Sequence, residues 1–126
     1  MLGTEKLYTA AQTRALDHCA IHEHHIPGIT LMSRAADAAF RYLLATWPAP
    51  ECLQVMCGTG NNGGDGFLIA DLAHKRGIDV TVFQLGDAGK IGGDALLARQ
   101  QALAHGVKIV PFATAALATA GVIVDA

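Results

Sequence analysis

Ten consecutive residues, Cys57-Gly58-Thr59-Gly60-Asn61-Asn62-Gly63-Gly64-Asp65-Gly66, hold five glycines, two asparagines and one carboxylate. A turn between a strand and a helix needs only a few residues, with one or two glycines. An apolar run, Leu53-Gln54-Val55-Met56, leads into the stretch, and a helical pattern from Phe67 to Arg76 leads out. Glycines at this density let the backbone take positive φ and let a ligand approach the main chain closely. The amides opening the next helix point outward without partners, which favours anions or polar acceptors. Asn61, Asn62, Gly63, Gly64 and Asp65 therefore read as a substrate-binding loop.

The spacing discriminates among known loops. Gly58-x-Gly60-x-x-Gly63 satisfies the dinucleotide fingerprint, with a strand before it and a helix after it. Any glycine-dense loop tends to contain that pattern by chance. No Lys-Ser/Thr pair closes the loop, so the phosphate-binding P-loop is excluded. Asp65 is read as the first residue of a helix running to Arg76. A carboxylate there is stabilised by about 0.3–1 kcal/mol and competes with phosphate for the same amides. The plainer reading makes Asp65 a cap only, which leaves Asn61-Asn62-Gly63-Gly64 unexplained. A nicotinamide-dependent dehydrogenase wants an acidic residue about 20 positions beyond the glycines, at the end of the second strand. Asp79 precedes that strand; Asp87 lies beyond Leu85-Gly86, before a flexible Lys90-Ile91-Gly92-Gly93. A dehydrogenase fragment stays as one alternative, although it has no use for Asn61–Asp65. A non-catalytic binding or scaffold module of the same fold is another.

Two further groups bear on chemistry. His18, His22, His24 and His25 cluster at the far end of the first predicted helix. His18 and His22, four apart, have metal-ligand spacing, but no carboxylate or third ligand is placed to complete a site around them. Charge complementarity with the helix C-terminus is the plainer account. Asp125 follows the apolar Val122-Ile123-Val124 immediately. In a doubly wound sheet the fourth strand lies beside the first, at the switch point where ligands bind, so Asp125 should approach Asn61–Asp65. It would accept a hydrogen bond from a ligand, supply oxygen to a hard cation, or merely cap the next turn.

The elements that must position these residues alternate regularly. A capping box, Thr9-x-x-Gln12, opens a first helix with Leu16, Cys19 and Ala20 on its apolar face. Ile26-Pro27-Gly28-Ile29 breaks it. A second helix runs from Thr30 to about Thr46, with Leu31, Ala35, Ala38, Ala39, Tyr42 and Leu43 along one side. Strand Cys52–Met56, the Gly-rich stretch and a helix to Arg76 follow, with Leu68, Ile69, Leu72 and Ala73 as a buried stripe. Gly77 stops that helix. Strand Val80–Phe83 precedes a helix over Gly93–His105, whose apolar members are Leu96, Leu97, Leu103 and Ala104. Strand Val107–Val110, an alanine-rich helix near Ala113–Thr119 and strand Val122–Val124 complete the run. The pattern predicts an α/β, Rossmann-like three-layer α/β/α fold with a mainly parallel sheet covered on both faces, preceded by two helices.

Asn61-Asn62-Gly63-Gly64-Asp65-Gly66, after an apolar strand and Cys57-Gly58-x-Gly60, resembles the signature of the NAD(P)H-hydrate epimerase family, the YjeF N-terminal domain. Ala11-Gln12-x-Arg14-x-x-Asp17 and Gly28-Ile29-x-Leu31-Met32-x-Arg34-Ala35 resemble the family's opening two helices. Ser33 stands where many members carry an acidic residue, and Ala36 where many carry glycine. The resemblance implies an isomerase that interconverts the R and S forms of hydrated NADH and NADPH in cofactor repair. It further implies a partner ADP/ATP-dependent dehydratase, sometimes fused C-terminally, and a homodimer surface that includes the helical pair. A potassium ion next to the substrate is implied as well, held by Asn62 and Asp125. No catalytic residue is assigned, because the family's acidic residue belongs to a later strand-end motif. The chain thus reads, over 1–126, as the N-terminal portion of one such domain, truncated on a buried strand.

Bulk properties agree. The chain has 126 residues, 52% hydrophobic and 16% charged, which suits one globular domain. A formal charge of −2 and no basic run give no footprint for nucleic acid. No apolar stretch approaches the roughly 20 residues that span a bilayer, and no signal peptide is read at the N-terminus. Cys19, Cys52 and Cys57 follow no metal spacing, as expected of thiols in a reducing cytoplasm.

Overall fold

The computed structural model describes residues 6–113 and 121–126. Thr9 opens α1 (Ala10–His22) with a capping box: its hydroxyl accepts from the Gln12 amide and the Gln12 side chain accepts from the Thr9 amide. α1 buries no residue, and Leu16 is 55% exposed, so its predicted apolar face meets little of the protein. Pro27 then leads directly into α2 (Gly28–Thr46), two residues earlier than the spacing predicts. Proline suits that place because its missing N–H would be an orphan there anyway.

The buried face of α2 is Met32, Ala36, Phe40 and Leu43. It is rotated from the predicted one: Ala35, Ala38, Ala39 and Tyr42 face outward, and Tyr42 is 76% exposed. Both sets recur at helical spacing, and the larger Met32 and Phe40 win the core because they bury more apolar area. A similar exchange occurs in α4 (Gly93–Ala104), which buries Ala95, Ala98 and Ala102 while Leu97 and Leu103 stay about half exposed. Small residues on the buried face bring α4 close to its neighbour.

Four parallel strands, β1 (Leu53–Cys57), β2 (Val80–Gln84), β3 (Lys108–Pro111) and β4 (Val122–Asp125), lie in the order β3-β2-β1-β4. This is a doubly wound order with its switch between β1 and β4. α3 (Asn61–Lys75) connects β1 to β2 and packs against both of them, against α2 and against α4. Leu53, Val55 and Cys57 are fully buried, and their alternation along β1 puts them under α3. Gly77 and Gly106, at φ of 78° and 92°, end α3 and α4 as left-handed caps. The alanine-rich helix predicted near Ala113–Thr119 falls on 114–120, outside the described residues, so the second covered face is not part of what is described. Among the described residues no helix is long and apolar enough to cross a membrane.

Candidate active site

Asn61, Asn62, Gly63, Gly64 and Asp65 do not form a loop. They are the first residues of α3, which begins four positions before the predicted Asp65, with Gly60 as its N-cap. None of the glycines from Gly58 to Gly66 has positive φ. Gly63, Gly64 and Gly66 are instead set apart by close contact. A Cβ on Gly63 would be driven into the Gly58 carbonyl, and one on Gly64 would lie 2.7 Å from Met32 Sδ and 3.0 Å from Ala95 Cα. A Cβ on Gly66 would lie 2.7 Å from Cys57 Sγ and 2.8 Å from the Ala126 Cβ. The glycines let the head of α3 sit directly against β1, α2, α4 and the end of β4.

This start of α3 leaves a distinctive set of donors. The first intrahelical bond at this end is Gly64 N–H to the Gly60 carbonyl, at 3.2 Å, and no side chain caps the helix. The amides of Asn61, Asn62 and Gly63 therefore point outward at the positive end of the helix dipole. Asp65 sits one turn further in and does not fill that pole, contrary to its reading as the helix's first residue.

Asp65 instead lines a cavity of about 210 Å³ together with Asn61. Asp17 and Ile21 of α1, Leu31 and Met32 of α2, and Asp94 of α4 complete its main walls. Three carboxylates thus face one space. Partial burial raises the Asp65 pKa above the usual carboxylate range, and the negative charge of Asp17 raises it further. The Asp94 carboxylate lies against Gly28, the first residue of α2, where orphan amides favour negative charge. Sequence spacing does not bring Asp17 or Asp94 to this cavity; only the packing of the second half of α1 beside the starts of α2, α3 and α4 does.

Asp125 lies where the strand order puts it. It pairs in register with Met56, the Ala126 N–H donates to the Met56 carbonyl at 2.8 Å, and the Gly58 N–H donates to the Ala126 carbonyl at 2.8 Å. Asn62 is in the first turn of the helix that follows β1, at the same end of the sheet. Both side chains are exposed, and neither has a hydrogen-bond partner among the described residues. On the other side of β1, Gln84 was not anticipated by its sequence. Its amide nitrogen donates to the Cys57 carbonyl at 3.0 Å and lies 3.3 Å from that of Gly58, tying down the strand end before the motif. A polar residue closing an otherwise apolar strand was the signal available. Cys57 itself is no nucleophile, since burial pushes its thiol up to about 12. Asp87 is engaged as a cap, accepting from the Gly89 amide at 2.9 Å, and Asp79 sits exposed before β2.

Comparison with known proteins bears on the same features. Over 120 residues the chain is 42% identical to the bifunctional NAD(P)H-hydrate repair enzyme Nnr of Coxiella burnetii, covering 95% of this chain and 24% of that protein. It is 42% identical over 85 residues to the NAD(P)H-hydrate epimerase of Limosilactobacillus fermentum, covering 68% of this chain and 41% of that one. The chain therefore spans less than half the length of these relatives. The crystal structure of yeast YNL200c superposes with a TM-score of 0.74 at 18% identity, covering 85% of this chain and 47% of that one, which shows a shared fold. Residues 28–126, from the first residue of α2 through the Asn61–Gly66 hexapeptide to the end of β4, match the family described as YjeF-related protein N-terminus, and to that family the chain belongs.

Proposed function

We propose that this chain is the N-terminal part of an NAD(P)H-hydrate epimerase, an isomerase that interconverts the R and S forms of hydrated NADH and NADPH. The observation that carries the reading is the uncapped head of α3. Three outward amides, packed against the sheet by glycines, make a seat for a phosphate-bearing dinucleotide. The names of the relatives supply the substrate and the reaction. Asn61 to Asp65 bind the substrate, with Asn62 and Asp125 as oxygen donors to a potassium ion. Their amide and carboxylate oxygens are the hard donors such an ion takes, and both are uncommitted among the described residues. An ion held there supplies positive charge beside an anionic substrate.

The wider setting follows from the same reading. The repair reaction needs an S-specific dehydratase, fused or separate, and the bifunctional name of the Coxiella relative supports a fused one. The outward face of α2, with Ala35, Ala38, Ala39 and Tyr42, suits a homodimer contact. The cytoplasm is the compartment that fits nicotinamide cofactor repair.

The test supplies pure R hydrate with an S-specific dehydratase and potassium to the 126-residue chain. Asp125→Ala and Asn62→Ala are assayed beside the wild type. Potassium-dependent binding of the hydrate, weakened in both variants, is the expected result, and turnover would show that the chain holds its own acid/base group. A folded wild type that neither turns over nor binds the hydrate overturns the reading in favour of a scaffold role.

A further inference from the structure

We infer that the end of α1 carries a metal site, in which the Cys19 thiolate, the Glu23 carboxylate and the His24 imidazole take a zinc-like divalent cation. Their ligating atoms lie within 4.8 Å of one another, and the Cys19 Sγ donates to Glu23 Oε2 at 3.2 Å. Sulfur and oxygen ligands of a tetrahedral zinc, bonded at about 2.3 Å and 2.1 Å, stand roughly 3.6 Å apart. The pair is therefore already near the spacing an ion would impose.

The backbone brings the third ligand in. The Cys19 carbonyl accepts from both the Glu23 amide, at 2.9 Å, and the His24 amide, at 3.2 Å. The Ile26 amide reaches back to the Ala20 carbonyl at 3.0 Å, and His25 takes a φ of 55°. That left-handed conformation is uncommon outside glycine. The chain folds back over the last turn of α1 and returns the His24 ring to Cys19 and Glu23. Spacing alone does not predict this, because it singles out His18 and His22, whose rings lie 4.2 Å apart in a tilted stack.

The donor set selects the ion. Thiolate sulfur and imidazole nitrogen prefer zinc and its transition-metal neighbours to magnesium or calcium. Three protein ligands leave one tetrahedral position for water or an outside group. The negative end of the helix dipole adds to the attraction for a cation. On binding, the Cys19 thiol gives up its proton to solvent and the Glu23 oxygen it held turns to the metal. These residues precede the stretch 28–126 that matches the family model, and none of them is assigned to the substrate or the potassium ion, so the site is distinct from the proposed one. It still touches that region of the molecule. α1 buries no residue, yet its Asp17 and Ile21 wall the cavity beside Asp65, and a metal closing its last turn would hold that wall in place.

Cobalt(II) titration of the whole chain tests the site, because a single cobalt–thiolate bond gives a charge-transfer absorption that zinc should displace. Cys19→Ser should abolish the band and Cys52→Ser should keep it. Glu23→Gln and His24→Gln should each weaken binding by more than the roughly 10- to 100-fold that loss of an outer-sphere partner causes. The double change His18→Gln, His22→Gln should leave binding unchanged. Absence of the band, its survival in Cys19→Ser, or its loss in the His18/His22 variant would each overturn the assignment. Far-UV circular dichroism confirms that the variants fold, which is expected because every changed side chain on α1 and its following turn lies outside the core.

Discussion

A methyl group on Gly63 meets backbone, the Gly58 carbonyl, which cannot swing aside as a side chain can, whereas nothing lies within 4 Å of a Cβ on Gly60. Gly63→Ala should therefore destabilise the fold by about 1–3 kcal/mol, as overpacking does. Gly60→Ser should be neutral or stabilising by a few tenths of a kcal/mol, since Gly60 already has the extended backbone of an N-cap and serine would cap α3. Urea denaturation ranks the three proteins, and the reverse order would sink the packing account. The same serine would compete for the amides assigned to substrate, so stability and binding should move in opposite directions. Asp65 gives a second test at this scale. Its raised pKa means that its contribution to stability is present below the unfolded value and is lost as pH rises through the folded one. Burial is the larger cause and Asp17 the smaller. Asp17→Asn should thus lower the Asp65 pKa part of the way to its ordinary value and raise stability at neutral pH. A carbon-13 titration of the Asp65 carboxyl reads this directly, and an unchanged pKa would mean that Asp17 does not act across the cavity.

Between elements, the most consequential polar contact is Asp71, 1% exposed in the middle of α3. It accepts from Gln101 Nε2 at 3.0 Å, pairs with His105 Nδ1 at 2.7 Å and with Lys75 Nζ at 3.2 Å, and so binds α3 to α4 and its C-cap. Burial alone would raise its pKa; the bonds from Gln101, His105 and Lys75 outweigh that and hold it below the usual carboxylate value. A depressed carboxylate stabilises the fold above its unfolded pKa, about 3.9, and the stability is lost as pH falls through the folded pKa. Asp71→Asn should cost about 1–3 kcal/mol at neutral pH. The deficit should shrink below about pH 4 as the wild type loses the same charge, and an equal deficit at both pH values would argue against the ionic account. Much at this scale was legible: the strand–helix alternation from β1 to β3, the Thr9 cap and the glycine stops all stand where local chemistry puts them. The α2 face was not, because two rows of apolar residues share its helical spacing and only the neighbours decide between them. The start of α3 was missed because glycine signals a loop by its freedom, whereas Gly63 and Gly64 are needed for their small size.

Across the whole molecule, the candidate site exists only when the sheet is assembled, because Asn62 belongs to the β1–α3 crossover and Asp125 to β4. The register of β4 on β1 brings them to one end of the sheet, and strand order alone was enough to anticipate it. The topology was therefore readable, while the cavity with Asp17 and Asp94 depends on helix packing that no local spacing encodes. A cation shared by two elements stabilises the folded state and not the unfolded chain, by about 2.7 kcal/mol when its concentration is 100 times its Kd. Potassium should accordingly raise the thermal midpoint by several degrees over choline at equal ionic strength. Asn62→Ala and Asp125→Ala should each flatten that response, and the double variant should lose no more than either single one, because two ligands of one ion are coupled. If both single variants kept the full potassium increment, the ion would bind elsewhere; additive losses would mean two separate sites. Only a non-additive loss fits one ion held between the head of α3 and the end of β4.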